Sequence, residues 1–332
     1  MSFILTACRC DDSAEEDDDT ASVGRKSVPA NSGGKTGESR GGQTQRKSPE
    51  VHTDCSREYG DSINGQRLSQ LPWQFIEIRW SFAELLPEFE RFDIDVTVTN
   101  VSPEFNVYIS PFKFYLNDND LYGGIQTHSG GWRSKTDHTS IDFRGAVFSR
   151  WSKDKKSPLS LDYVHMYDDG ACYSSGIDGT PSVEGSYCGV RRPYAWTSGV
   201  YTFSLVKESV VSYLNAPHSW VSYEITDKNT KETKRIGSLL FDGDRLKMLA
   251  STKAFVEVYG EERKVPYVAV SFGYPKIIGI EPPASRVVAQ RFHVTPNITT
   301  VSSHDKTITV VVDPCNPRSG TVSHDAEEFD MK

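Results

Sequence analysis

Strict alternation between apolar and polar residues is the feature that most constrains what this chain can fold into. Over residues 92–99 every second side chain is apolar, and the side chains between them are polar. Successive side chains of a β-strand point to opposite faces of the sheet, so this pattern produces one apolar and one polar face. The same period of two recurs over residues 201–205 and 307–310. The chain is therefore expected to build antiparallel strands with one buried and one solvated face.

Further short runs, bounded by Gly, Pro and Asn, predict more strands. They cover residues 74–80, 107–116, 146–151, 220–226, 235–241, 254–259, 267–272 and 287–294. Turn residues at 227–230 join two of these runs into a hairpin over 220–241. The one helix-like segment, Phe82–Arg91, contains Pro87 and is expected to form a turn or two at most. So many short strands predict an all-β fold, an antiparallel sandwich of the jelly-roll or lectin-like kind.

Composition agrees with a β fold and excludes several classes of function. The 332 residues include 15 Tyr, 16 Phe and 6 Trp but only 4 Met, a balance that favours strands over long helices. With a net charge of −8, the chain has no electrostatic reason to bind nucleic acid. No apolar run approaches the roughly 18 residues of a membrane-spanning helix. The fingerprints of nucleotide-binding, serine-hydrolase and zinc-protease sites are missing, so the common cofactors are not expected.

The two ends of the chain differ from its middle. Seven of the nine residues 11–19 are acidic, and residues 22–49 are mostly Gly, Ser, Lys, Arg and Gln, which offers too little to bury against the entropy of ordering. We expect residues 1–60 to be a disordered tail, 61–274 to form the sandwich, and 318–332 to be a disordered acidic C-terminus. Residues 275–317 are expected to add strands to the same body, with a small separate β appendage as the alternative.

The first residues contain a short lipidation motif. Leu5-Thr6-Ala7-Cys8 resembles the lipobox of bacterial lipoproteins, in which the cysteine, here Cys8, is lipidated. Only residues 3–7 precede the cysteine as an apolar stretch, whereas a signal peptide needs about 7–15 apolar residues. Either the true start lies upstream or the match arises by chance. A lipid anchor at Cys8 would let the acidic spacer hold the folded body off a membrane.

The six cysteines bear on the compartment. None forms a C-x-x-C pair or lies at metal-ligand spacing from a His, which argues against zinc. Cys172 and Cys188 lie in a segment rich in Gly and Ser and could staple one loop, while Cys55 and Cys315 flank the body and could close it. Two disulfides would fit a secreted, cell-surface or periplasmic protein, and buried cytosolic thiols are the alternative.

Several segments between about residues 120 and 260 carry a family resemblance. They are Leu121-Tyr122-Gly123-Gly124-Ile125-Gln126, Gly145-Ala146-Val147-Phe148-Ser149-Arg150-Trp151, Tyr194-Ala195-Trp196-Thr197-Ser198-Gly199-Val200-Tyr201, Ile236-Gly237-Ser238-Leu239 and Phe255-Val256-Glu257-Val258-Tyr259. Together they resemble a group of secreted, mostly bacterial proteins that share a domain of unknown function. The group has a longer glycine-rich stretch where this chain has residues 183–189. The resemblance implies a secreted β-sandwich of lectin-like architecture and carries over no catalytic residue.

Aromatic residues beside glycines and charged groups suggest a sugar-binding surface, because a pyranose presents C–H faces for stacking and hydroxyls for hydrogen bonds. The expected ligand-binding set is Tyr122, Trp132, Tyr194 and Trp196, with Arg133, Arg191 and Arg192 as polar partners. Trp132, next to Gly130 and Gly131, is expected in a loop. The alternative for Trp151 and Trp196 is burial between the two sheets.

Acidic residues offer two further kinds of chemistry. Asp118 and Asp120 provide hard oxygen ligands that calcium prefers, although Asp and Asn clusters also form ordinary turns. Glycoside hydrolysis needs two carboxylates, and Asp168, Glu184 and Glu257 are the candidates because they lie near the matched segments.

These observations favour a secreted or surface-anchored β-sandwich that binds a glycan or another extracellular polymer without cleaving it. A structural or adhesive surface protein is one alternative, and a glycoside hydrolase is the other.

Overall fold

The computed structural model describes residues 55–59, 62–63, 66–67, 72–177, 182, 184–259, 263–278, 286–291, 296–319 and 326–329. The expected tail, including Cys8, lies almost entirely outside these residues. All of the described residues belong to one compact unit. None of its helices is long and apolar enough to cross a membrane, within the part of the chain that is described.

The described segments are almost entirely strands and connecting turns. The first eleven strands are β1 Ser56–Glu58, β2 Ser62–Ile63, β3 Gln66–Arg67, β4 Trp73–Ser81, β5 Arg91–Val101, β6 Asn106–Leu116, β7 Asn119–Trp132, β8 Ser140–Trp151, β9 Val164–His165, β10 Ala171–Ser174 and β11 Tyr187–Pro193. The others are β12 Gly199–Tyr213, β13 Ala216–Asp227, β14 Thr233–Asp242, β15 Ser251–Tyr259, β16 Lys264–Pro266, β17 Val268–Gly273, β18 Lys276–Ile277, β19 Arg286–Arg291, β20 Thr299–His304, β21 Thr307–Val312 and β22 Glu327–Phe329. Single 3-10 turns form at Leu161–Tyr163 and Pro296–Ile298.

Two large sheets form a sandwich, as the alternation predicted. The first sheet has the order β10-β11-β8-β7-β6-β15-β4-β19-β22, and the second has the order β20-β21-β17-β5-β12-β13-β14-β9 with β18 beside β5. Neighbouring strands run antiparallel, as β12 does against both β5 and β13. The inner faces share one hydrophobic core, in which Phe112 and Phe148 of the first sheet contact Tyr223 of the second at ring-centroid distances of 5.4 and 5.8 Å. The all-β antiparallel fold is therefore confirmed.

Strand β5 illustrates why the pattern leads to this arrangement. Its apolar residues Phe92, Ile94, Val96 and Val98 are at most 1% exposed, whereas the polar residues between them stay partly exposed. Because β5 lies in the interior of its sheet, hydrogen bonds to β12 and β17 satisfy both of its edges. The predicted hairpin is also present as β13 and β14. Segment 82–91 forms no helix, and Leu86 instead bridges to Met248.

Two short described segments near the ends of the chain form strands that composition did not predict. Residues 56–58, assigned to the tail, pair with β16. Residues 327–329, assigned to a disordered C-terminus, pair with β19 at the edge of the first sheet. Ladder hydrogen bonds to an existing strand edge stabilise short polar segments that could not order alone. Strands β18 to β21 join both large sheets, so the described residues between 275 and 317 belong to the main body.

One of the two expected disulfides is formed. Cys55 and Cys315 are bonded across a sequence separation of 260. Cys172 and Cys188 are instead free, buried thiols, so the predicted staple between them is wrong for this structure. Cys172 pairs with Val190, and Cys188 pairs with Ser174. The two cysteines are diagonal neighbours on adjacent strands, and diagonal positions lie about 7–8 Å apart, farther than a disulfide normally spans.

Candidate functional site

Aromatic side chains cover the outer face of the first sheet, the side turned away from the second sheet. We call the following set the aromatic row: Tyr173 of β10, Tyr187 of β11, Trp151 of β8, Tyr122 of β7, Tyr108 of β6, and Phe255 and Tyr259 of β15. It crosses six neighbouring strands in their order in the sheet. Tyr108, Phe255, Tyr122 and Tyr259 pack in an apolar cluster separate from the main core, which places them on the opposite face.

Neighbouring rings in the row touch one another. The centroid distances are 5.4 Å for Tyr173–Tyr187, 5.1 Å for Tyr187–Trp151, 4.6 Å for Trp151–Tyr122, 5.9 Å for Tyr122–Tyr108 and 6.4 Å for Tyr108–Tyr259. Such separations are typical of paired aromatic rings. Tyr173, Tyr122 and Tyr259 remain partly exposed, whereas the others are buried. The three partly exposed rings therefore pack against the buried rings of the row, and they are the rings that a ligand could contact.

Trp132 lies at the edge of the row, in a different setting from the one predicted. It is the last residue of β7, paired with β8 and β10, so the expectation of a loop is wrong. Its flanking glycines are required by close strand packing, because a Cβ on Gly131 would lie 2.8 Å from the Cys172 carbonyl oxygen. The half-buried indole stacks on the exposed ring of His138 at 4.0 Å and contacts Tyr173 at 4.9 Å.

Two glutamates from distant parts of the chain meet at the row. Glu257 points outward from β15, and its carboxylate oxygen accepts a hydrogen bond from the Tyr259 hydroxyl at 2.8 Å. Glu184 precedes β11 and accepts a hydrogen bond from the Tyr122 hydroxyl at 3.3 Å. Burial, reinforced by the charge of Glu257, raises the pKa of Glu184 to about 8. Burial also raises the pKa of Glu257 to about 7. Both carboxyls therefore exchange protons near neutral pH.

Charged groups surround this pair. The Asp120 carboxylate lies 3.5 Å from the Lys155 ammonium and 3.9 Å from the Lys113 ammonium. The charge of Lys113 acts to lower the pKa of Glu184 and of Glu257, but burial outweighs it at both carboxyls. Desolvation therefore dominates the electrostatics of the pair.

Two buried polar atoms on the outer face have no hydrogen-bond partner among the described residues, the Tyr108 hydroxyl and Nη1 of Arg191. Ser110 lies close to Tyr108, but its own hydroxyl donates to the carbonyls of Phe112 and Gly123. A buried polar atom without a partner costs about 1–3 kcal/mol. Such atoms can take up a hydrogen bond from a bound ligand.

The corner that carries Glu184 is closely fitted to a neighbouring loop. Gly185 has φ +94°, and a Cβ there would lie 2.5 Å from the Lys155 carbonyl oxygen. The Ser186 amide donates to that oxygen at 2.8 Å, and the Ser175 hydroxyl donates to the Gly185 carbonyl at 2.9 Å. The backbone that follows Glu184 is thus held, and the hydrogen bond from Tyr122 directs the carboxyl at the row.

Some predicted residues are brought together and others are not. Tyr122, Arg191, Glu184, Glu257 and Asp120 all lie on or beside the outer face, with Trp132 at its edge. Asp168 is exposed in the turn before β10. It lies at the end of the β10–β11 pair where Ala171 meets Arg191, whereas Glu184 lies at the opposite end, where Ser174 meets Cys188.

The remaining predicted ligand contacts have structural partners. Arg192 donates to Asp169 and to the Arg235 carbonyl at 2.7 and 2.6 Å, and exposed Arg133 pairs with Asp137 at 3.6 Å. Tyr194 packs against Tyr201 at 6.1 Å. Trp196 is 1% exposed in the main core, which agrees with the core alternative. That alternative is wrong for Trp151, which belongs to the outer face.

The two aspartates that were predicted as calcium ligands lie in different surroundings. Asp118 is exposed at φ 65°, after Asn117 at φ 47°, the conformation of a tight turn between hairpin strands. Asp120 faces the two lysines instead. Within the described ranges, no group of three or more His, Cys, Asp or Glu residues is placed to hold a metal ion.

Sequence reasoning missed Tyr108, Lys113, Tyr173, Tyr187 and Tyr259. The alternation of the strands could have identified them, because each occupies a strand position between residues that face the core. Large aromatic rings at such positions on several strands indicate a functional face.

Comparison with known proteins assigns the chain to no family. No protein-family model matches it, and no curated protein matches it significantly.

Proposed function

We propose that the protein binds a glycan chain along the aromatic row. The observation that carries this proposal is the run of touching rings across six strands, with partly exposed Tyr173, Tyr122 and Tyr259. Sugar rings stack their C–H faces on such surfaces. The carboxyls of Glu184 and Glu257 and the guanidinium of Arg191 supply hydrogen-bonding groups for hydroxyls beside the rings. Ligand sites combine apolar surface with a few placed polar groups in this way.

Single aromatic substitutions test this proposal. We expect a glycan array probed with the full-length protein to yield a ligand, and Tyr173→Ala or Trp132→Ala to weaken its binding about 10-fold or more, the loss of one stacked ring. Tyr213→Ala is the matched control, because Tyr213 is a half-exposed ring at the far end of β12. An array with no ligand for the folded protein would overturn the proposal, as would equal losses in the control variant.

We also propose that the protein works outside the cytosol, at a cell surface or after secretion. The Cys55–Cys315 disulfide supports this location, because such bonds persist in oxidising compartments. A lipid anchor at Cys8 would then hold the body near a membrane. Mass spectrometry of the protein from its native cells tests both points, and a reduced Cys55–Cys315 pair with an unmodified Cys8 in cytosolic protein would contradict them.

A further inference from the structure

We infer that Glu184 and Glu257 form an acid–base pair that hydrolyses the glycan bound along the aromatic row. This inference rests on the proposed function and adds an activity to the same face. The two carboxyls come from separate elements. Glu184 lies in the corner before β11, and Glu257 lies on β15 in the interior of the first sheet. Each is held by a tyrosine hydroxyl. Carboxyl pairs of this kind are the machinery of most glycoside hydrolases.

A second observation points to a ligand at the same place. The Tyr108 hydroxyl is 2% exposed, and its neighbour Ser110 already donates its hydroxyl to two carbonyls, which leaves Tyr108 without a partner among the described residues. Burial, together with the charges of Glu257 and Glu184, raises the pKa of Tyr108. Nη1 of Arg191, a residue that is 5% exposed, is similarly without a partner. Tyr108 interacts electrostatically with both carboxyls and with Arg191. A sugar with several hydroxyls would satisfy both the Tyr108 donor and the guanidinium.

The surroundings distinguish the two carboxyls. Glu184 lies on the partly exposed corner, and its pKa of about 8 keeps its proton at neutral pH, as a general acid requires. Glu257 is buried and accepts a hydrogen bond from the Tyr259 hydroxyl at 2.8 Å, shorter than the 3.3 Å bond from Tyr122 to Glu184. The stronger donor favours the carboxylate form, so Glu257 is assigned as the base. Lys113 faces both carboxyls, and Asp120 faces Glu184 with the opposite charge. Lys155 pairs with Asp120, and the charge of Arg191 acts on Tyr108.

The reaction balances with water as the only co-reactant. Glu184 donates its proton to the bridging oxygen of the glycosidic bond as the bond from that oxygen to the anomeric carbon breaks. Glu257 takes a proton from a water molecule, whose oxygen forms the new bond to the anomeric carbon. The products are one chain with a new hydroxyl and one with a new reducing end. Proton transfer through solvent from Glu257 to Glu184 restores the starting state.

Release of reducing ends from neutral and uronate-containing polysaccharides tests the inference with the full-length protein. We expect Glu184→Gln and Glu257→Gln to lower the rate about 10²–10⁴-fold while glycan binding stays within a few-fold of wild type. Glu77→Gln is the matched control, since Glu77 is an ion-paired glutamate on neighbouring strand β4 and should leave the rate unchanged. If both glutamine variants fail to fold, Tyr122→Phe and Tyr259→Phe serve instead, and each should shift one limb of the pH–rate profile.

The outcomes separate the two proposals. Binding without release of reducing ends from any polymer that binds overturns the hydrolytic pair and leaves the glycan-binding proposal intact. Elimination also releases a reducing end, but it leaves an unsaturated uronate at the other new end, so the appearance of unsaturated ends together with the reducing ends would also overturn it. Unchanged rates in both glutamine variants would likewise overturn the hydrolytic pair. If no glycan binds at all, both proposals fail together.

Discussion

The proton on Glu184 links the stability of this protein to pH. The pKa of this carboxyl rises from an ordinary 4.5 to about 8 in the folded state, through burial first and the charge of Glu257 second. The pKa of Glu257 rises from 4.5 to about 7 in the same sense. Between these values the folded state holds more protons than the unfolded chain, so stability falls as pH rises. The contribution of each carboxyl is fully present below its unfolded pKa and is lost as pH passes its folded pKa.

We therefore expect the melting temperature to fall as pH rises from about 5 to about 9, by about 2–4 °C for each kcal/mol lost in a body of this size. Glu184→Gln should flatten this dependence, because an amide keeps the uncharged state at every pH. Calorimetric scans across the pH range measure the effect, with Glu77→Gln as the control that should follow wild type. A melting temperature that rises over this range would contradict the burial of the pair.

At the scale of elements, the fold depends on places where two backbones approach too closely for a side chain. The corner at Gly185 is one of them, because it combines a left-handed φ of +94° with a backbone oxygen 2.5 Å from the site of a Cβ. Neither feature can relax by rotating a side chain. The Ser186 amide donates to the same Lys155 oxygen and joins the turn before β11 to the loop after β8. Glu184 lies next to this hydrogen bond.

Gly185→Ala is expected to destabilise the protein by about 1–3 kcal/mol, the cost of a strained backbone position, and to displace the Glu184 carboxyl. Denaturant unfolding measures the first effect, and the pH dependence of melting, which should weaken, measures the second. Gly199→Ala is the control, since φ there is not left-handed and the nearest atoms belong to the Tyr201 side chain. Equal unfolding midpoints for the two variants would contradict the role given to the corner.

At the scale of the whole molecule, the Cys55–Cys315 disulfide closes most of the described chain into one loop. It joins residues separated by 260 positions, and near it Tyr267 donates its amide to the Cys55 carbonyl at 2.8 Å. A cross-link over so long a loop restricts the unfolded chain strongly, which in the chain-entropy account stabilises the folded state.

Reduction of this bond is expected to lower the free energy of unfolding by about 2–5 kcal/mol. Chemical denaturation with and without a reducing agent measures the change. A Cys55→Ser, Cys315→Ser double variant should match the reduced wild type and show no further response to the reducing agent. If reduction leaves the unfolding midpoint in place, the disulfide does not stabilise the fold.

The sequence by itself determined the strands, their faces and the class of fold, because alternation is local and decides which side of a sheet each residue occupies. It also placed Cys55 and Cys315 at opposite ends of the body. Alternation put Tyr108, Tyr122 and Glu257 on polar positions of their strands, but it could not show that these strands are neighbours.

Only the tertiary structure decided which strands are neighbours and so which polar side chains come together. Strand β15 lies between β6 and β4, so Glu257 joins Tyr108 and, through the corner at Gly185, Glu184. The register between β10 and β11 offsets Cys172 from Cys188 by two positions, and both remain thiols. The sheet order also gives β19 as a partner to residues 327–329. Strand order depends on how distant segments bury apolar surface together, and a local pattern of residues does not carry that information.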